Sequence, residues 1–160
     1  MKKLLLSAIL LLSSIAINAQ TDNDLIELLK SDVKSERKAI ITESMNFFES
    51  ESKVFWPIYT EYEYEMNKLS DKRIKNLKDY ADNYEKLTEE KANEIINNSF
   101  NFQEERLSLN KKYYKIFAKA LSPTIAAKFM QVENQIQLLI DVIIAEELPL
   151  IKIPAENTIK

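Results

Sequence analysis

The chain of 160 residues contains no glycine, no histidine and no cysteine. Without glycine there are no phosphate-cradling loops and few two-residue hairpin turns, because both need backbone at positive φ or in close approach to a ligand. That disfavours β architecture. Without histidine the chain lacks the commonest general base and metal ligand at neutral pH. Without cysteine it has no thiol nucleophile and can form no disulfide. No ordinary nucleophile–base pair remains, so the sequence predicts a protein that binds, not an enzyme, and one with neither cofactor nor metal. Carboxylate metal sites in helical bundles pair Glu with a His three residues on. The adjacent acids Glu89-Glu90 and Glu146-Glu147 therefore read as solvated helix ends. A formal charge of −3 argues against nucleic acid or anionic lipid as a partner.

Long apolar runs are also scarce. The one that exists, Leu4 to Ile17, holds no charge and follows Lys2 and Lys3. Its length of about 14 residues is short of the roughly 20 that span a bilayer. The small residue Ala19 closes it. This is the pattern of a cleavable secretory signal over residues 1–19, cut after Ala19, with a helical domain over 20–152 and a flexible tail over 153–160. The absence of Cys after the run removes a lipoprotein, and no stable membrane insertion is expected once the signal is gone. Loss of Lys2 and Lys3 takes the formal charge from −3 to −5.

What is abundant is apolar residues recurring at three and four. The spacing predicts a first helix from about Asp24 to Met45, with Leu25, Leu28, Leu29, Val33, Ile40 and Ile41 inward, and a turn at Asn46 to Phe48. A second helix, about Glu49 to Leu87, carries Phe55, Ile58, Tyr59, Tyr62, Met66, Leu69, Leu77, Tyr80, Tyr84 and Leu87 on one face. Pro57 predicts either a kink there or a true start near Lys53. Thr88 caps a third helix, about Glu89 to Ala120, with Glu89 and Glu90 in its first turn. This helix has two apolar stripes. One is Ala92, Ile95, Phe102, Leu109, Tyr113, Phe117 and Ala120; the other, rotated by about 100°, is Ile96, Phe100, Leu107, Tyr114 and Leu121. A helix with two stripes needs two partners, either within its own chain or in a second subunit. Ser122 caps the fourth helix and Pro123 takes its first position. It runs to about Glu147 with Ile125, Ala126, Phe129, Val132, Ile136, Leu139, Ile140, Ile143 and Ile144 inward. Leu87-Thr88 and Leu121-Ser122 repeat the same end-and-cap device. The segment Leu148 to Pro154 reads as extended chain that lies along a groove.

Two sets of residues stand out against this background. Glu133 falls on the inward stripe of the fourth helix and Arg106 on that of the third. A hairpin about Ser122 would offset them by about five residues, within reach of a long Arg side chain, so a structural polar pair is expected. The second set is the apolar residues that miss the inward faces: Trp56 and Tyr64 on the second helix, and Leu138 and Val142 on the back of the fourth. With Phe100, Leu107 and Tyr114 they form candidate contacts for a client protein or a second subunit. Alternating charges such as Asp71, Lys72, Arg73, Lys75, Lys78, Asp79 and Asp82 read as a solvated face.

Leu121-Ser122-Pro123 followed by Phe129 in an amphipathic helix resembles the Leu-Thr-Pro motif of the LTXXQ family, the Spy/CpxP-like periplasmic chaperones. The stretch MNFFESESKVFWPIY, Met45 to Tyr59, is similar to an earlier copy of that motif. Ser122 and Phe48 stand where the motif has Thr, and Ile125 and Glu51 where it has Gln. The resemblance implies an all-α fold of about four helices in elongated antiparallel hairpins, cradle-like, coiled-coil in character and homodimeric. It implies a periplasmic, ATP-independent chaperone of the stress response that binds unfolded or misfolded proteins. The alternative it implies is a regulatory partner of an envelope-stress sensor kinase, and an anti-sigma factor is a further candidate target.

Overall fold

The structure, a computed structural model, describes residues 36–153. The expected signal at 1–19, the part of the expected first helix before residue 36 and the expected tail beyond residue 153 lie outside the described residues. Within them the chain is all-helical. Four helices carry it: α1 over 36–45, α2 over Glu49–Asn83, α3 over Glu89–Ala120 and α4 over Pro123–Glu147. A single 3-10 turn, Tyr84–Lys86, extends α2. No described helix is long and apolar enough to cross a membrane.

The ends of these helices follow from local chemistry. Asn46 takes φ 48°, a left-handed conformation that Asn tolerates and that stops α1. The Glu51 carboxylate accepts a hydrogen bond from the Phe48 N–H at 2.9 Å, satisfying one of the free donors at the start of α2. The Thr88 hydroxyl accepts from Lys91 N at 3.2 Å and the Ser122 hydroxyl from Ile125 N at 3.1 Å, so both expected caps are formed. α2 begins at Glu49 and runs on through Pro57, so the later start near Lys53 is not the one used. Both Pro57 and Lys53 are exposed, and water can reach the Lys53 carbonyl that proline leaves without a donor.

The core is aromatic. Phe129 of α4 lies 5.2 Å from the Phe55 ring, 5.5 Å from Tyr62 and 4.8 Å from Phe117, joining α2, α3 and α4 at one point. Ile41 and Met45 of α1 close the same cluster. Polar ties continue the α2–α3 contact away from it. Tyr62 donates to Asn110 Oδ1 at 3.0 Å, Lys112 pairs with Glu65 at 2.8 Å, Lys72 with Glu105 at 2.6 Å and Lys91 with Asp79 at 3.1 Å. From Glu65 onward the partners fall in number on α3 as they rise on α2, as in an antiparallel pair. At 35 residues α2 is a rod of about 50 Å, and these ties follow most of it.

Beyond α4 the chain is extended, and it crosses the end of α2 as the alternation of apolar residues and proline suggested. Tyr80 donates to the Pro149 carbonyl at 2.7 Å, Tyr84 to the Leu150 carbonyl at 3.2 Å, and Lys152 pairs with Glu85 at 2.7 Å. Two inward assignments need correction. Leu139 is exposed and so is Ala120. α4 turns the side bearing Ala126, Phe129, Glu133, Gln137 and Ile144 to the core, which rotates Leu139 outward.

Candidate interaction surface

The two stripes of α3 meet different fates. Phe102, Leu109, Tyr113 and Phe117 are buried against the neighbouring helices. Ile96, Phe100, Leu107 and Tyr114 stay exposed; Phe100 and Leu107 keep 53% and 54% of their surface, more than half. Only Leu121, at the turn into α4, packs against the core. The second partner that this stripe requires is therefore not another described helix. Burying apolar surface is worth about 25 cal/mol per Å², so a row of such residues is a standing drive toward association.

Leu138 and Val142 on the back of α4 are likewise exposed, and Tyr64 on α2 is open, with Lys68 Nζ 4.2 Å from its ring centre. Beside Tyr64 an open groove of about 700 Å³ runs between α2 and α3, with Leu69 and Leu109 in its lining and Lys68, Lys72 and Lys112 along it. An apolar floor flanked by charged side chains of both signs suits weak contact with an extended chain. Trp56 does not belong with this set. It is half-buried, edge-on to Phe55 at 5.2 Å and to Tyr59 at 5.4 Å, with Lys38 over its ring. α1 covers the flank of α2 where Trp56 had been expected to stand free.

The buried polar cluster differs from expectation in one partner. Glu133 pairs with Arg37 of α1 at 2.9 Å, with side-chain exposures of 3% and 10%. Arg106 is not its partner. It lies over the Phe102 ring at 5.9 Å, sharing that ring with Arg73 at 5.0 Å. α1 packs directly on α4 here, with Lys128 Nζ also donating to the Met45 carbonyl at 3.2 Å, and this brings a guanidinium closer than the offset on α3 allows. Tyr59 and Tyr62 crowd the same pair. Burial raises both phenols well above their ordinary range, and the nearby Glu133 carboxylate adds to the shift while Arg37 opposes it. Both therefore stay neutral at any working pH. Further along, Tyr113 donates to Glu65 Oε1 at 3.0 Å and is pushed up to about 12, by burial first and that bond second. The bond from Lys112 holds Glu65 below the usual carboxylate range; burial opposes it, and the bond from Tyr113 adds a smaller lowering.

These groups lock helices together. In this cluster the Tyr59 and Tyr62 phenols stay protonated and the Glu133 carboxylate is tied to a guanidinium. Among the described residues no three acidic side chains converge where a metal could sit. Arg37 is the residue that sequence reasoning missed. It fills the gap between Val33 and Ile40 in the inward stripe of the first helix, and a charge at an inward position was the available signal. No family model, curated protein or solved structure matches the chain.

Proposed function

We propose that this chain is an exported, periplasmic, ATP-independent chaperone-like protein of the envelope-stress type, which binds unfolded or misfolded proteins. It would work as a homodimer of thin antiparallel hairpins with a cradle-like face, and without enzymatic activity. The observation that carries the reading is the set of large apolar side chains, Tyr64, Phe100, Leu107, Leu138 and Val142, standing exposed on a bundle whose aromatic core is already filled. Isolated exposed apolar residues are ordinary, but these recur on three helices. Such a surface gives fast, weak contacts that a client can leave in order to fold. The motif resemblance at Leu121-Ser122-Pro123 supports the same reading, as does the signal-like run at the start of the chain.

The test is the aggregation of a denatured model client, followed by light scattering without ATP, at equimolar mature protein. Suppression is expected. Unchanged aggregation in the presence of a folded helical protein rejects the reading in favour of a dedicated regulatory partner, for which a deletion strain would derepress envelope-stress genes without losing envelope proteins.

A further inference from the structure

We infer that the C-terminal end of α2 is a site that reads the backbone of an extended polypeptide, and that residues 148–153 of the chain itself occupy it as a displaceable strap. The inference rests on the reading above and adds a regulatory step to it: the strap must lift before this site takes a segment of a client.

The strap is held by what every polypeptide has. Tyr80 and Tyr84, about one helical turn apart, donate to the carbonyls of the consecutive residues Pro149 and Leu150 at 2.7 Å and 3.2 Å. A backbone carbonyl carries no side-chain identity, so any extended segment offers the same acceptors. Leu148 leaves α4 at φ −94° and ψ 122°, which sets the strap in that extended form. Lys152 adds a side-chain tie, pairing with Glu85 at 2.7 Å while its ammonium lies 4.6 Å from the Tyr84 ring centre. What the strap lacks is burial. Leu150 and Ile153 each keep 89% of their surface and Ile151 keeps 47%, so its apolar side chains do little to hold it. Neutral hydrogen bonds and an exposed ion pair are weak in water. The strap stays down chiefly through its tether, because a segment joined directly to α4 acts at an effective concentration on the order of mM. A client already held at Tyr64, Leu138 or Val142 gains the same advantage and competes for the two phenols. Until it wins, its apparent affinity is reduced by the fraction of molecules in which the strap is up. The segment that fits is extended, unrestricted at the positions of Leu150 and Ile153, and carries Lys or Arg two residues beyond the carbonyl taken by Tyr84, where Glu85 receives it.

The test uses the chain from Gln20 onward and a fluorescently labelled, permanently unfolded client. Lys152→Glu sets like charge against Glu85 and lifts the strap while leaving both phenols in place, so it should bind the client about threefold or more tighter than wild type. Tyr80→Phe with Tyr84→Phe also frees the strap, but it removes the donors that a client needs and should bring no gain. Because the chain has no cysteine, a nitroxide on Ile151→Cys reports the strap alone. Its mobility should rise with client, and also with a peptide of the sequence of residues 148–153 at about 5 mM, enough to rival a tethered segment. The same peptide carrying Leu150→Ser and Ile153→Ser should act equally well, since those side chains make no contact that matters. A nitroxide indifferent to the peptide, client binding that is measurable yet equal in wild type and Lys152→Glu, or the same gain in the double tyrosine variant overturns the inference. Aggregation measured on the same samples separates the two readings. A strap that the peptide displaces in a protein that suppresses no aggregation keeps the backbone-reading site and rejects the chaperone, while suppression with a strap that nothing displaces does the reverse.

Discussion

Arg37→Met removes the only guanidinium beside Glu133 among the described residues and leaves a carboxylate whose side chain is 3% exposed. One of its oxygens, Oε2, already lacks a hydrogen-bond partner, and the neutral phenols of Tyr59 and Tyr62 beside it carry no charge to replace the guanidinium. Orphaning a buried charge costs about 3–5 kcal/mol. The loss in Arg37→Met should therefore be about 3–4 kcal/mol at pH 7. Glu133→Gln orphans the guanidinium instead and should cost a similar amount. Replacing both partners by apolar residues, Arg37→Met with Glu133→Leu, should recover most of the loss. Urea unfolding followed by circular dichroism measures all three. If Arg37→Met lies within about 1 kcal/mol of wild type at pH 7, the pair is not a lock between α1 and α4 and the reasoning fails.

Two further outcomes follow from the core and its edge. Phe129→Ala empties the point where the Phe55, Tyr62 and Phe117 rings meet, and should cost about 3–5 kcal/mol in urea unfolding; a loss near 1 kcal/mol would mean that the aromatic cluster collapses freely onto the gap. Tyr113 has a folded pKa raised from 10 to about 12, so the stability it contributes is fully present below pH 10 and is lost as pH rises toward about 12. The fall in stability over that window should be smaller in Tyr113→Phe than in wild type, which isolates this phenol from the other raised tyrosines.

The legible parts of the fold were those set by neighbours in sequence. Thr88 and Ser122 announce helix starts because a hydroxyl three residues ahead of a free N–H can satisfy it wherever the helix lies. Pro123 at the first position strengthens the second of these. The inward faces of α2 and α3 were readable for a similar reason, since each carries a long stripe that becomes its buried face, although α3 carries a second one as well. What depends on which helix lies across from which was not readable. The Arg106–Glu133 pairing assumed that the nearest helix in sequence supplies the cation. The position belongs to Arg37, whose helix reaches α4 from the other end of the domain. Leu139 was placed inward because α4 is apolar around much of its circumference, so periodicity leaves its orientation open by a residue or two. Trp56 failed in the opposite sense, its flank being covered by α1. The second stripe of α3 was visible as a pattern, and its exposure emerged only when no described helix lay across it.

On the proposed function the exposed apolar residues outside the core bind the client. This is tested by the affinity of the chain from Gln20 onward for a fluorescently labelled, permanently unfolded client, compared with a variant carrying Tyr64→Lys, Leu138→Glu and Val142→Lys. All three positions are exposed, so the variant should keep its helical content and its thermal midpoint. Micromolar binding by the wild type and a loss of about tenfold or more in the variant are expected. Equal binding by the two proteins, or none by the wild type, would contradict it.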